Sequence, residues 1–187
     1  MNMKKDDIRR KVRADKALLS DTERRDAARD VFSRLESLAA FMMAENVLMY
    51  HSLPDELSTL DFLDKWHTAK SFFLPRVNGV NLDILPYDRS HLRHGAFQIE
   101  EPEGDEVVDV ENIDLIVVPA VAYDRRGNRV GRGKGFYDRL LSNSRALKVG
   151  VAYSCQLFDE IEADEHDVPV DIVITPDRCI VTVRHRR

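Results

Sequence analysis

The sequence contains few cysteines, no long apolar run and no excess of positive charge. Its two cysteines among 187 residues, Cys155 and Cys179, are too few for a disulfide framework, so we expect a reduced, cytoplasmic setting. The basic residues near the N-terminus are followed by no apolar segment, so we expect no signal peptide. No run approaches the roughly 18 apolar residues that span a membrane, so no membrane association is expected.

The net charge of −5 argues against a general nucleic-acid binder, and basic residues that bind anions must therefore act locally. The length of 187 residues, with 43% hydrophobic residues, fits one domain over residues 1–187. A chain of this length can bury a core large enough to need no covalent staples.

Helical and strand patterns alternate along the chain. A helix is predicted over residues 4–19, with Ile8, Val12 and Leu19 near one face. Ser20 and Glu23 form a capping box that begins a second helix, which runs to about residue 38. Strands are predicted over residues 46–50, 71–75, 82–87, 113–119, 147–153, 170–175 and 179–183.

This alternation predicts an α/β fold: a single layered domain with a mixed, mostly parallel sheet flanked by helices. The arrangement is Rossmann-like but lacks the GxGxxG fingerprint. The last two strands are joined by the turn Pro176-Asp177 and should be antiparallel.

Two local expectations concern the middle of the chain. Pro75 should end the strand that begins at Ser71. Residues 88–112 lack periodicity and read as a long loop, which is uncommon unless it is functional or mobile. The acidic run over residues 100–106 is expected to be solvated.

The strongest functional signal is the stretch from Arg125 to Asp138. It contains four glycines, four arginines and Lys134 between a predicted strand and a predicted helix. Glycine lets the backbone approach a ligand closely, and arginine and lysine form charge-assisted hydrogen bonds with phosphate. Asp138 adds a hard oxygen of the kind that magnesium prefers. The stretch therefore predicts an anion site, most simply for a nucleotide phosphate.

Two better-known phosphate loops do not fit this stretch. A Walker A loop needs a glycine five residues before the Gly-Lys pair and a Ser or Thr after it, whereas Asn128 and Gly135 occupy those places. The dinucleotide fingerprint fails because Gly131, Gly133 and Gly135 are spaced by two. A surface turn with basic residues remains the structural alternative.

Two other segments are candidates. His51 and Glu56 follow a predicted strand, where open α/β sheets bind ligands, although position alone favours a packing histidine and an exposed loop carboxylate. The basic residues of the first helix either form a solvated face or reach a phosphate through one or two side chains.

Residues 118–139 closely resemble the signature of the 5-formyltetrahydrofolate cyclo-ligase family. The resemblance extends along nearly the whole chain through an N-terminal Lys-x-x-x-Arg segment, a Pro-Asp-Glu turn, a Glu-Pro loop and a C-terminal Glu-x-Asp-x-x-x-Asp pattern. It implies an enzyme that uses ATP and Mg²⁺ to convert 5-formyltetrahydrofolate into 5,10-methenyltetrahydrofolate, ADP and phosphate through a phosphorylated formyl group.

The resemblance also implies residue roles. Lys134 and Arg132 are the expected catalytic cations, which offset charge on the transferred phosphoryl group. The metal positions are Asp138 and Asp167. One ATP contact matches Lys5, with Lys4 as the alternative match. The implied ATP contacts are Lys5, Arg9, Arg129, Val130, Gly131, Arg132, Gly133, Lys134, Gly135, Phe136 and Tyr137. The implied folate contacts are His51, Glu56, Arg132, Gly133, Lys134, Gly135 and Phe136.

Three positions depart from the family pattern. Phe136 replaces a common tyrosine, Ala120 stands where glycine is frequent, and His51 stands where the family often has an apolar residue. The implied partners are ATP and 5-formyltetrahydrofolate, with a monomer or weak homo-oligomer as the assembly. The alternatives are a folate or nucleotide binder without turnover and a phosphotransferase acting on another small molecule.

Overall fold

The structure, a computed structural model, describes residues 3–94 and 100–182. The helices are α1 (Lys5–Ala17), α2 (Asp21–Glu36), α3 (Ala39–Met43), α4 (Leu60–Trp66) and α5 (Phe136–Ser142). The strands are β1 (Asn46–Leu48), β2 (Ser71–Asn78), β3 (Asn81–Pro86), β4 (Leu92–His94), β5 (Glu100–Pro102), β6 (Leu115–Val118), β7 (Ala122–Asp124), β8 (Arg129–Val130), β9 (Leu147–Val151), β10 (Leu157–Phe158), β11 (Ile172–Thr175) and β12 (Arg178–Val181).

The central sheet has seven strands in the order β12-β11-β9-β6-β1-β2-β3. Neighbours from β2 to β11 are parallel, while β2–β3 at one end and β11–β12 at the other are antiparallel. The predicted mixed, mostly parallel sheet is confirmed, and so is the antiparallel final pair. The final predicted strand, 179–183, corresponds to β12 (Arg178–Val181), and its last residue, Val183, lies outside the described residues.

The two faces of the sheet are covered by different helices, because side chains alternate along each strand. Val117 packs in the core formed with α2 and α4, whereas the next residue, Val118, packs in the core that includes Leu141 of α5. Burial on both faces explains why these strands read as continuous apolar runs.

Helix α1 packs on a separate small sheet, in the order β10-β7-β8. Its buried residues Ile8 and Val12 contact Ala122, Val130 and Ile161, which form a third apolar core. The predicted buried face of α1 is confirmed for Ile8 and Val12, and Leu19 lies just after the helix, partly buried against a different core.

The capping box at the start of α2 is confirmed. The Ser20 hydroxyl accepts from the Glu23 amide at 3.2 Å, and the Glu23 carboxylate accepts from the Ser20 amide at 2.8 Å. Each bond satisfies an amide that the first helical turn leaves without a partner.

The prediction that Pro75 ends its strand was wrong, since β2 continues to Asn78. The ladder with β1 ends at the Leu48–Phe73 pair, so Pro75 lies where β2 has an edge. A missing amide N–H costs no ladder bond at such a position.

The segment 88–112 is not simply a loop, because its described residues include the hairpin strands β4 and β5. The acidic run is only partly solvated. Glu101 is 4% exposed, and its carboxylate accepts from the Val77 amide of β2 at 3.0 Å. This bond fastens β5 against the edge that β2 presents beyond Pro75, so Glu101 was wrongly predicted to be solvated.

Among the described residues, every helix is too short or too polar to cross a membrane.

Candidate functional site

A cavity of about 610 Å³ opens at the carboxyl edge of the central sheet. The chain leaves β1 towards β2 on one side, while β6 lies on the other side, so the two strands form a topological switch point. Open α/β sheets bind ligands in the crevice at such a point, and this volume is ordinary for a small-molecule site. Tyr50 and His51 after β1 and Pro119 and Ala120 after β6 line the cavity.

The turn after β1 is held by its own hydrogen bonds. The buried Thr59 hydroxyl donates to the Tyr50 carbonyl at 2.9 Å. The Glu56 carboxylate accepts from the Leu53 amide at 3.0 Å, and the Tyr153 hydroxyl donates to the Glu56 carbonyl at 3.1 Å. These bonds hold the turn in the conformation that directs Glu56 towards the cavity.

The glycine-rich loop before α5 forms another wall of the cavity. Gly133 and Gly135 have φ angles of +93° and +67°, a region that residues other than glycine rarely occupy. The Arg9 guanidinium donates from Nε to the Gly131 carbonyl at 2.9 Å. The loop is therefore joined to α1, and Arg9 lies beside it.

Lys5 of α1 lines the same cavity, whereas Lys4 is exposed and precedes the helix. The Lys5 ammonium lies 2.6 Å from Asp167 and also pairs with Asp164. Burial opposes the charged ammonium, but the two carboxylates outweigh it and raise the pKa of Lys5. The two carboxylates thus stabilise the charged form of Lys5, and the Lys5 ammonium in turn lowers the pKa of Asp164.

Arg129 and Asp138 form the most buried ion pair of the site. Arg129 is 5% exposed, and its Nη2 donates to Asp138 Oδ1, which also accepts from the Val168 amide at 3.2 Å. The Nε of Arg129 is buried and has no hydrogen-bond partner in the described part of the chain. An unsatisfied buried donor is costly, and here it belongs to a side chain that lines the cavity.

Arg132 connects the loop to the turn after β1. Its Nη2 donates to Asp55 at 2.8 Å and to Glu56 at 3.0 Å. Partial burial opposes the charged guanidinium, yet Glu56 and Asp55 raise the pKa of Arg132. Two segments that are far apart in sequence therefore meet at one guanidinium.

His51 lies beside the β4–β5 hairpin in the cavity wall. Its Nε2 lies 3.3 Å from a carboxylate oxygen of Glu100. Burial lowers the pKa of His51, and the nearby Glu100 offsets only part of that effect. Burial therefore favours the neutral imidazole, and Pro75 and Val77 line the same cavity.

The cavity brings together nearly all the residues that the sequence singled out. The predicted residues that line it are Lys5, Arg9, His51, Glu56, Arg129, Gly131, Arg132, Gly133, Lys134, Gly135, Phe136, Tyr137, Asp138 and Asp167. Val130 is the exception, because its side chain is fully buried beneath α1 and its carbonyl accepts from the Val121 amide at 2.7 Å. Successive side chains of a strand point to opposite faces, so Val130 points towards the core under α1 while Arg129 points into the cavity.

Several residues of the site were missed. Asp164, Glu100 and Glu101 line the cavity, and Asp55 pairs with Arg132 just outside it. Asp164 lies three residues before Asp167 and donates its amide to that carboxylate at 2.8 Å, a turn spacing that was available as a signal. Glu100 and Glu101 had no such signal, since their position depends on a hairpin that periodicity does not indicate.

The model of the 5-formyltetrahydrofolate cyclo-ligase family matches residues 1–176. A 5-formyltetrahydrofolate cyclo-ligase from Escherichia coli is 30% identical over 177 residues, which cover 89% of this chain and 97% of that protein.

Two solved structures share the fold. The NMR structure of Aquifex aeolicus 5,10-methenyltetrahydrofolate synthetase superposes with a TM-score of 0.89 at 37% identity, covering 99% of this chain and 96% of that one. A Mycoplasma pneumoniae 5,10-methenyltetrahydrofolate synthetase superposes with a TM-score of 0.77 at 22% identity, covering 93% and 99% of the two chains. At that lower identity the second structure supports the fold alone.

Proposed function

The chain belongs to the 5-formyltetrahydrofolate cyclo-ligase family, and from that membership we propose that it converts 5-formyltetrahydrofolate into 5,10-methenyltetrahydrofolate with ATP and Mg²⁺. The observation that carries the proposal is the meeting of three distant segments in one cavity. Lys5 and Arg9 of α1, the loop Gly131–Gly135 and the turn with Glu56 all line it.

In the proposed reaction the formyl oxygen attacks the γ-phosphorus, and the bond to ADP breaks. The neighbouring folate amine then attacks the phosphorylated formyl carbon. Phosphate leaves with the formyl oxygen, the amine loses its proton, and the ring closes. This chemistry needs the two substrates held in line and the phosphate charge neutralised, rather than covalent help from the protein.

The lining residues divide between these tasks. Lys134 and Arg132 offset charge on the transferred phosphoryl group, and Lys5, Arg9 and Arg129 bind the other phosphates. The unpartnered Nε of the buried Arg129 supports an anion at this place, because a phosphate oxygen would satisfy it. Glu56 accepts hydrogen bonds from the polar folate head, and His51 and Phe136 border that side. Backbone amides of the glycine-rich loop add further donors, but Val130 contributes only to the core beneath α1.

Mg²⁺ is assigned to Asp138 and Asp167, whose carboxylates supply the hard oxygen atoms that it prefers. Both line the cavity, and each already pairs with a cation, Arg129 and Lys5 respectively. The described residues contain no group of three or more acidic, histidine or cysteine ligands for a metal. Such a sparse donor set fits an ion that keeps several waters and takes phosphate ligands. When bound, it would offset charge on the phosphates.

We propose that residues 1–187 form one cyclo-ligase domain that acts as a monomer or weak homo-oligomer. We also propose a cytoplasmic location, where the free Cys155 and Cys179 would stay reduced.

An absorbance assay tests the activity. Purified protein with ATP, Mg²⁺ and 5-formyltetrahydrofolate should generate the near-ultraviolet absorbance of the methenyl product, and omission of ATP should abolish it. Folded protein that binds both substrates by calorimetry without forming product would instead be a binding protein. ADP release with a different small molecule, and none with the folate, would identify a phosphotransferase.

A further inference from the structure

Asp55 connects three segments of the site without lining the cavity itself. The ammonium of Lys16, at the end of α1, donates to both the carbonyl and a carboxylate oxygen of Asp55, each at 2.7 Å. The other carboxylate oxygen accepts from Arg132 Nη2 at 2.8 Å. Glu56 and Arg132 line the cavity, whereas Asp55 and Lys16 are not among its lining residues.

The Lys16 side chain is only 9% exposed, so its ammonium has little access to water. Its two bonds to Asp55 replace part of the hydration that the charge loses on burial. Because one bond goes to the main chain and one to the carboxylate, Lys16 restrains both the backbone and the side chain of Asp55. Burial would raise the pKa of the Asp55 carboxyl, but the bonds from Lys16 and Arg132 outweigh it and hold the pKa below its ordinary value.

Arg132 depends on this anchor for its orientation. Its side chain is half exposed and lies on a glycine-rich loop, where a guanidinium has many accessible rotamers. One contact to Glu56 would leave the guanidinium free to pivot, while a second contact to Asp55 fixes its Nη2 between the two carboxylates. Lys16 and Arg132 carry two positive charges, and Asp55 and Glu56 carry two negative charges. The cluster therefore has no net charge.

We infer that Asp55 is a positioning residue of the proposed cyclo-ligase reaction: held by Lys16, it fixes the Arg132 guanidinium at the boundary between the nucleotide loop and Glu56. The inference rests on the proposed function. Asp55 acts through Arg132 and touches neither substrate. Orientation contributes strongly to phosphoryl transfer, and a displacement of about 1 Å can cost about a hundredfold in rate.

A double-mutant cycle tests this role. Asp55→Asn keeps the shape and the main-chain bond to Lys16 but removes the negative charge. We expect kcat to fall about tenfold, KM for ATP to rise about threefold as ATP affinity weakens, and KM for the folate to change less than twofold. In an Arg132→Gln background the same substitution should change kcat less than twofold, because the group through which it acts is gone. Asp55→Glu should restore part of the lost turnover.

Two further variants separate positioning from stability. Lys16→Met removes the two bonds to Asp55 and should also lower kcat, by a smaller factor than Asp55→Asn. Asp15→Asn is the matched control, because Asp15 also pairs with a lysine, Lys11, on α1 but lies outside the cavity lining. It should leave kcat, KM and the thermal midpoint unchanged.

Wild-type turnover in Asp55→Asn would overturn the inference, and so would an equal loss in both backgrounds, which is the result of a merely structural role. ATP affinity from calorimetry gives the same cycle independently of turnover, with a loss in Asp55→Asn that disappears when Arg132 is already Gln. Wild-type protein that binds ATP but forms no product would contradict the proposed function, and the affinity cycle would still decide the role of Asp55.

Discussion

The basic, glycine-rich region has two parts that each combine basic residues with glycine but have different partners. In the turn part, residues 124–128, the fully buried Asp124 carboxylate accepts from the amides of Arg126, Asn128 and Ile161. In the cavity part, residues 131–135, every residue lines the cavity. The turn part connects β7 to β8, and the cavity part lies in the cavity wall.

The arginines of the two parts differ accordingly. Arg125 and Arg126 point to Asp159 and Glu160 on the surface, whereas Arg132 points to the turn after β1. Glycine and arginine content therefore does not by itself identify a phosphate site. The turn formers Asp124 and Asn128 distinguish the hairpin from the loop with glycines at every second position. Substitutions in the two parts should accordingly affect different quantities.

The largest effect is expected for Gly127→Ala in the turn part. Gly127 has φ +85°, and an added Cβ would lie 2.2 Å from the Val170 carbonyl, so backbone must move. We expect a loss of about 3–5 kcal/mol in the free energy of unfolding, measured by urea denaturation. The control is Gly79→Ala, where φ is +60° but no atom lies within 4 Å. It should cost only about 1–2 kcal/mol, and equal costs would contradict the close approach.

The next effect is expected for Lys134→Ala in the cavity part. If Lys134 offsets developing phosphoryl charge as proposed, its removal should lower kcat about 10²–10³-fold with an unchanged urea midpoint. Lys65→Ala, which removes a surface lysine paired with Glu36, should retain wild-type kcat. If Lys134→Ala retained full turnover, the cavity part would have no role in transition-state stabilisation.

A smaller effect is expected for Asp124→Asn. The amide substitute cannot accept as many bonds as the buried carboxylate, so we expect about 2–3 kcal/mol lower unfolding free energy. Turnover of the folded fraction should remain near that of the wild type, because Asp124 does not line the cavity. A large fall in kcat at full stability would erase the distinction between the two parts.

The smallest effect is expected for Arg126→Gln. The ion pair of Arg126 with Glu160 is solvent-exposed, so its loss should change stability by less than about 0.5 kcal/mol and kcat by less than about twofold. A tenfold weaker ATP affinity in this variant would show that the turn part also takes part in anion binding.

The sequence was informative where local pattern and tertiary structure agree. Ile8 and Val12 marked the buried face of α1, and the capping box at Ser20 marked the start of α2. The strands were located from apolar runs because burial on both faces requires such runs. Most residues of the cavity wall followed from the resemblance, since the signature stretch contains the loop and the start of α5.

Other features depend on contacts that no local pattern encodes. Pro75 continues a strand because β1 has ended beside it, and Glu101 is buried because β5 packs there. Asp55 adjoins Glu56 in sequence, yet its link to Lys16 and Arg132 joins residues that are far apart in sequence. Charge and hydropathy of single residues do not predict such contacts, because the partner comes from another element.

Helix α1 is fastened by a small apolar core and by polar contacts at both of its ends. Lys5 and Arg9 contact the cavity wall near its start, and Lys16 contacts Asp55 near its end. A ligand bound by Lys5 and Arg9 would stabilise the state in which α1 is packed on the fold, because it binds that state and not the one in which α1 has detached. Amide hydrogen exchange along α1 should therefore slow as nucleotide concentration rises, so that exchange in this helix would measure ligand binding.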